Sequence, residues 1–242
     1  MVTRDYITFF LALSLLNIQL AVSRAVTNSA DRGLILTSYF INQPDPQAQV
    51  SGHQIYDHNQ KTYSQAFLHT VKRLSLRVVV VHDGLEDDFI AAHSDDRITF
   101  IKTDVVSPFS TNDFRYLAYS AILREKGSDL LDEVDYILMA DIADVIVHHD
   151  PFEIMSSPRW RLTDLFCSLE AGIVQDNEAF GRGVRRCRID VSHTLTRPVY
   201  NGGVWGGKVD AVRTAHCSVL SGSQIDDETV FSPVEQLQHS HI

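Results

Sequence analysis

Asp141 and Asp144 stand out as residues whose type and spacing could do chemistry. They sit in the segment Asp135-Tyr-Ile-Leu-Met-Ala-Asp-Ile-Ala-Asp-Val-Ile-Val-His-His-Asp-Pro-Phe-Glu153. The apolar run Tyr136–Ala140 reads as a fully buried strand that stops on Asp141. A carboxylate at the end of a central strand is costly to bury unless it pairs or holds a cation. Open α/β sheets take their ligands at the carboxyl ends of their strands. The pair Asp141 and Asp144 is therefore expected to hold Mn2+ or Mg2+, hard ions that two carboxylates and substrate phosphates commonly complete. The plainer alternative is a turn-forming Asp beside a helix cap or a salt bridge. Asp-x-x-Asp alone is a weak signal, and the buried strand in front strengthens it.

Other segments carry less. Asn201-Gly-Gly-Val-Trp-Gly-Gly207 places four glycines in seven residues, which suggests tight turns or close approach of a ligand to the backbone. Trp205 would wall a pocket there, or else be a core residue beside a bulge. His148 and His149 follow the acidic strand, but neighbours on a strand point to opposite faces, so they are read as surface residues. Gly181-Arg-Gly-Val-Arg-Arg-Cys-Arg188 is a basic loop, either a receiver of an anion or a solvated surface. Glu170, Asp176 and Glu178 offer candidate bases with no means of choosing among them.

The elements that position these residues alternate along the chain. Gly33–Phe40 reads as a first strand that runs into the proline-marked loop Asn42–Gln47. Lys61–Leu74 is an amphipathic helix by the spacing of Tyr63, Ala66, Phe67, Thr70, Val71 and Leu74. Leu76–Val81 and Ile98–Ile101 are strands, the first stopped by the turn His82-Asp83-Gly84. A second helix starts at Thr111, Asn112 or Asp113, stops at Gly127, and buries Phe114, Leu117, Ala118, Ala121 and Ile122. Arg115 lies at the edge of that stripe near the positive end of the helix dipole, a place suited to solvation or to anion binding. Leu165–Leu169 and Val199–Trp205 are later strands, the second interrupted at Asn201-Gly202-Gly203. The pattern predicts one α/β domain over 31–242 with a largely parallel twisted sheet and helices on both faces.

The 242 residues are 44% apolar and 21% charged, enough for a real core and against pervasive disorder. A formal net charge of −10 argues against non-specific nucleic-acid binding. Residues 1–23 read as a secretory signal peptide or an uncleaved signal-anchor. The apolar run Tyr6–Val22 would make a helix of about 25 Å, short of a membrane core, and Ala21-Val22-Ser23 offers small residues for cleavage. The expected location is the secretory pathway or outside the cell, with membrane contact only through an uncleaved anchor. Cys167, Cys187 and Cys217 allow one disulfide, with Cys167–Cys187 plausible on loop length and undecided by sequence.

In order and character these features resemble the GT-A type of nucleotide-sugar glycosyltransferase, specifically lumenal or secreted GT-A-like proteins of eukaryotic microbes and plants. The resemblance runs from about Leu34 to Phe231. Leu36-Thr-Ser-Tyr-Phe40 with Pro44-Asp-Pro-Gln47 is similar to the first strand and nucleotide loop. Asn112-Asp-Phe-Arg-Tyr116 resembles the helix start that approaches the donor diphosphate. Ala140–Val145 resembles the metal-binding acidic motif, Asn201–Gly207 the sugar side, and Asp226–Phe231 the acidic start of a late helix.

The resemblance implies sugar transfer from a nucleoside diphosphate donor to a glycan or protein hydroxyl. Thr37, Ser38, Tyr39, Arg115, Asn201, Gly202 and Gly203 would bind the donor, Asp141 and Asp144 the Mn2+ or Mg2+, and Asp226 or Asp227 would be catalytic. Two departures qualify it. The acidic motif is Asp-x-x-Asp where Asp-x-Asp is commoner. Many relatives also continue into a segment bearing a His metal ligand, for which His239 and His241 are near the right place without a motif. A truncated or catalytically impaired, purely binding protein is therefore the alternative, and a metal-dependent phosphohydrolase a third option.

Overall fold

The computed structural model describes residues 29–42, 60–104, 111–124, 130–173, 176 and 196–222. Among them the strands are β1 (Gly33–Tyr39), β2 (Val78–His82), β3 (Ile98–Lys102), β4 (Tyr136–Ala140), β5 (Leu165–Ile173) and β6 (Pro198–Lys208). The helices are α1 (Gln60–Arg73), α2 (Asp87–His93), α3 (Thr111–Arg124), α4 (Pro151–Met155) and α5 (Val209–Gly222). One sheet runs in the order β3-β2-β1-β4-β6-β5. β1 pairs in parallel with β2 and β4, and β2 with β3. β6 then lies antiparallel to β4, and β5 antiparallel to β6. The expected α/β class with a largely parallel sheet holds, and the antiparallel pair at one edge is an addition to it.

Apolar residues cover the central strands on both sides. Ile35, Val78, Val80, Leu138 and Ala140 pack with Phe67, Leu68 and Val71 of α1, Phe89 of α2, and Phe152 and Met155 of α4. Leu34, Leu36, Val79, Val81, Ile137 and Met139 pack with Phe114, Leu117, Ala118 and Ile122 of α3 and Val212 of α5. Burial on both faces explains why β2 reads Val-Val-Val-Val without alternation. It also fixes which way every later residue on β1 and β4 points, because successive side chains alternate between the two cores.

Three anchors hold the segment after β4. Asp150 accepts a 2.8 Å hydrogen bond from the Phe152 amide and caps α4, with Pro151 at its first position. Phe152 then lies so close over Gly33 that a Cβ there would fall 2.1 Å from its ring. The Val147 amide donates to the Thr70 hydroxyl at 3.2 Å, which ties the segment to α1.

On the opposite face, α3 and α5 meet through a buried polar pair. His216 Nε2 lies 3.2 Å from Ser120 Oγ, and His216 Nδ1 is buried without a hydrogen-bond partner among the described residues. Burial holds this imidazole well below the ordinary histidine range, at about 4; the Tyr116 backbone opposes the shift and Arg124 reinforces it. The folded chain thus binds this proton less readily than the unfolded chain. The contribution is present above the unfolded value near 6.5 and is lost as pH falls toward about 4. Denaturation across that window is expected to show a loss of up to roughly 3 kcal/mol from this group. His216→Gln should flatten that part of the profile, and an unchanged slope would remove His216 as its source.

Candidate functional site

The site begins where β4 stops. Ile137 and Met139 face the core beneath α3 and α5, while Leu138 and Ala140 face the other. Asp141 continues the alternation toward α3. Its amide donates to the Gly203 carbonyl at 2.9 Å, one more rung to β6. Its carboxylate forms an ion pair with Arg115 of α3. The Arg115 side chain is only 13% exposed and that of Asp141 38%, so the pair sits at the lip of the core. Arg115 Nε donates to the Asn112 carbonyl at 3.0 Å, and the guanidinium carbon lies 5.4 Å from the Tyr116 ring centroid.

Electrostatics at this lip are finely opposed. Burial raises the Asp141 carboxyl above the ordinary aspartate range; Arg115 pulls it down and Asp144 pushes it up again. Burial alone would lower the Arg115 pKa, but Asp141, Tyr116 and Tyr119 outweigh that loss and hold the guanidinium firmly charged. Asp141 is thus a desolvated carboxylate that depends on its cation. Asp144 is exposed, and its charge reaches Asp141 through the turn Ile142–Asp144. Among the described residues, no group of three or more His, Cys, Asp or Glu could hold a metal ion. The donor set on offer is the carboxylate pair alone, which fits a hard divalent ion completed by phosphate oxygens.

The glycine segment supplies the facing wall. Cys167 pairs with Trp205, but the next residue, Ser168, pairs with Asn201. Gly202, Gly203 and Val204 therefore bulge away from β5, while Val204 stays in register with Ala140 of β4. The bulge brings the Gly202 carbonyl to 3.5 Å from the Tyr116 hydroxyl. Together Arg115, Tyr116, Tyr119, Met139, Ala140, Gly202, Gly203 and Trp205 line a shallow cleft open to solvent.

The expected donor-binding residues are only partly brought together. Arg115, Gly202 and Gly203 share the cleft with Ala140 and lie beside Asp141. Arg115, expected to face a diphosphate, faces Asp141. Ser38 stands on the same side of the sheet and hydrogen-bonds the Tyr119 hydroxyl. Thr37 and Tyr39 point into the other core, where Thr37 is fully buried and Tyr39 packs edge-on against Phe89 at 6.3 Å between centroids. Strand alternation separates them, so Thr37–Tyr39 does not line one pocket. Asn201 pairs in β6 with Ser168. The expected interruption of the strand there is instead a bulge within continuous β6.

His148 and His149 are exposed, as expected of surface residues. Asp226, Asp227, His239, His241, Cys187, the basic loop 181–188 and the leader lie outside the described residues. Cys167 and Cys217 are free. Tyr116 and Tyr119 join the site in addition to the expected residues. For Tyr119 the sequence holds a signal, since it stands one helical turn after Arg115, the spacing that brings two side chains onto one helix face.

No protein-family model matches this chain, and none of the curated proteins does. Among solved structures, the chain is similar to a glycosyltransferase involved in the glycosylation of the major capsid of PBCV-1. That likeness has 11% sequence identity and a TM-score of 0.41, over 86% of this chain and 74% of that one. It is also similar to the glycosyltransferase GlyE of Streptococcus pneumoniae TIGR4, at 14% identity and a TM-score of 0.39. There it covers 86% of this chain and 42% of GlyE, so it spans less than half of that protein.

The glycines of the site make different demands. A Cβ on Gly206 would fall 2.2 Å from the Ile137 carbonyl oxygen, a backbone atom with no room to move, whereas one on Gly202 would meet only the Tyr116 hydroxyl at 3.5 Å. Gly206→Ala is expected to destabilise the chain by about 2 kcal/mol or more, and Gly202→Ala by under about 0.5 kcal/mol. Thermal melts of the two variants check the ranking; equal melting temperatures would contradict it.

Proposed function

We propose that the chain is a GT-A-like glycosyltransferase of the secretory pathway that moves a sugar from a nucleoside diphosphate donor to a glycan or protein hydroxyl. The observation that carries this reading is Asp141. It is a half-buried carboxylate at the carboxyl end of a central strand, beside a second carboxylate, facing a cation and a glycine-walled cleft. That is the place where open α/β sheets take phosphate-bearing ligands.

In this reading Asp141 and Asp144 hold Mn2+ or Mg2+ together with donor phosphates. The ion, when bound, supplies Lewis acidity toward the diphosphate as it departs. Arg115 contributes a fixed guanidinium that suits phosphate oxygens. Tyr116 and the Gly202 carbonyl shape the wall where the sugar would lie, and Trp205 closes the floor. Asp226 or Asp227 is proposed as the carboxylate near the reacting carbon. Thr37 and Tyr39 are left to the core, with Ser38 as the strand's contribution through Tyr119.

A second reading keeps the fold and the nucleotide or glycan binding without turnover. The ion pair that neutralises Asp141 favours it. Hydrolysis of a nucleotide sugar in the absence of acceptor separates the two, because a purely binding protein leaves the donor intact.

Calorimetry of the full chain with UDP and GDP, with and without Mn2+, tests the site itself. Binding of one nucleotide is expected to require the metal. Asp144→Ala should weaken that binding at least about tenfold, or roughly 1.4 kcal/mol, with an unchanged melting temperature. Undiminished binding would take Asp144 out of the site.

A further inference from the structure

Among the described residues, the large apolar side chains left exposed all lie after Asp141, and most of them fall between Ile146 and Leu165. The extreme case is Leu162, 85% exposed in the loop that joins α4 to β5. A single exposed leucine is ordinary. This one ends the run Pro158-Arg-Trp-Arg-Leu162, beside a partly exposed indole and two exposed arginines. The loop is not slack. The Ser157, Trp160 and Thr163 amides donate in succession to the Ile154, Ser157 and Trp160 carbonyls at 3.2, 2.9 and 2.8 Å. Lys208, at the end of β6, donates from Nζ to the Arg161 carbonyl at 3.1 Å and pairs with Asp164 at 2.7 Å. Trp160 rests edge-on against Phe166 at 6.2 Å between centroids, and the Arg159 guanidinium carbon lies 4.9 Å from the indole centroid. A fastened loop thus holds apolar and cationic side chains outward together.

We propose that this loop is a membrane-contact site that rests on a phospholipid surface, with Trp160 and Leu162 at the acyl boundary and Arg159 and Arg161 on headgroup phosphates. Indole, leucine and guanidinium side by side suit that boundary, where one end of the contact is apolar and the other is anionic. Among the described residues neither arginine has a carboxylate partner, whereas Asp164 is taken by Lys208 and Asp31 by Arg97. A lipid phosphate supplies the missing anion. The position of the loop agrees. Leu165 pairs with Gly207, and Lys208 and Gly33 both pair with Tyr136, so the loop stands at the end of the sheet opposite Asp141. The chain enters β1 at that same end, through the short turn Ser29–Asp31. At most about 25 Å of chain separates Ser29 from Val22, the last apolar residue of the expected leader. Docked in this way, the molecule keeps its cleft turned from the bilayer. The contact does not depend on the donor-site reading.

Indole fluorescence tests the contact, because Trp160 and Trp205 are the two tryptophans of the chain and Trp205 lines the cleft at the other end. The full chain is mixed with vesicles of brominated phosphatidylcholine, with and without phosphatidylglycerol, and bound chain is measured by sedimentation. Emission is expected to shift to the blue and to be quenched by the bromines, and Trp160→Phe to remove the quenching. Replacing both arginines, Arg159→Gln with Arg161→Gln, should raise the lipid concentration for half-quenching at least about fivefold on the phosphatidylglycerol vesicles. Circular dichroism confirms that each variant is folded. Vesicle-bound chain whose Trp160 stays unquenched overturns the proposal, since another segment, such as Tyr6–Val22, then makes the contact. Quenching that survives Trp160→Phe overturns it too, as does a chain that stays off the vesicles altogether. A blue shift that needs no lipid and grows with protein concentration assigns the loop to a second copy of the chain and overturns the lipid contact.

Discussion

A carboxylate delivered at the end of a strand buried on both faces is the constraint around which the rest of this chain is arranged. β4 lies between β1 and β6 and beneath helices on either side, so Asp141 emerges where water reaches only part of it. A lone charge there would be protonated or would pull the strand end apart. Arg115 meets the demand from α3, which must then be held in place. Phe114, one residue earlier, is fully buried and packs edge-on against Phe40 at 4.7 Å between centroids, next to the end of β1. Five residues after Arg115, Ser120 joins α3 to α5 through His216. The ion pair is thus suspended between two pieces of packing that belong to the apolar core.

The antiparallel edge serves the same place. A parallel neighbour to β4 would need a crossover and would bring a strand's carboxyl end to the lip. β6 runs the other way and brings its own beginning there, so Gly202 and Gly203 stand beside Asp141. Glycine is required farther along for a plainer reason. At Gly206 and Gly207 the backbones of β4 and of Asp164 approach too closely for a Cβ. The same sequence segment therefore carries two glycine pairs with separate causes, one opening a cleft and one closing a sheet.

Much of this arrangement is legible in the amino-acid sequence because it depends on local pattern. β4 has the bounds that its apolar run marks, since a short apolar run ending on a carboxylate suits little but a buried strand. The stripe of α3 follows from helical spacing. What stays hidden has equally local causes. α2 and α4 are too short to show a periodicity. Thr37, Ser38 and Tyr39 are adjacent in sequence and so suggest one stretch lining a pocket, although a strand sends them alternately to opposite sides. The partner of Arg115 lies 26 positions away in the chain. No spacing rule reaches that far, and only the register of β4 against α3 reveals it. The glycine run reads as an interruption because glycine disfavours strands in isolation; at Gly206 and Gly207 it is required because neighbouring backbones leave no space for anything larger.

The position of Arg115 sets how far the pair satisfies its own charges. It is the fifth residue of α3, just past the first turn, and its Nε reaches back to the Asn112 carbonyl, so the guanidinium lies near the helix start, where unsatisfied amides disfavour a cation. Asp141 offsets that, but at the expense of its own hydration, which is why burial still lifts its carboxyl above the ordinary range. Neither partner is fully satisfied by the other. The packing that buries the pair thus also sets its charge balance, and the two cannot be adjusted separately.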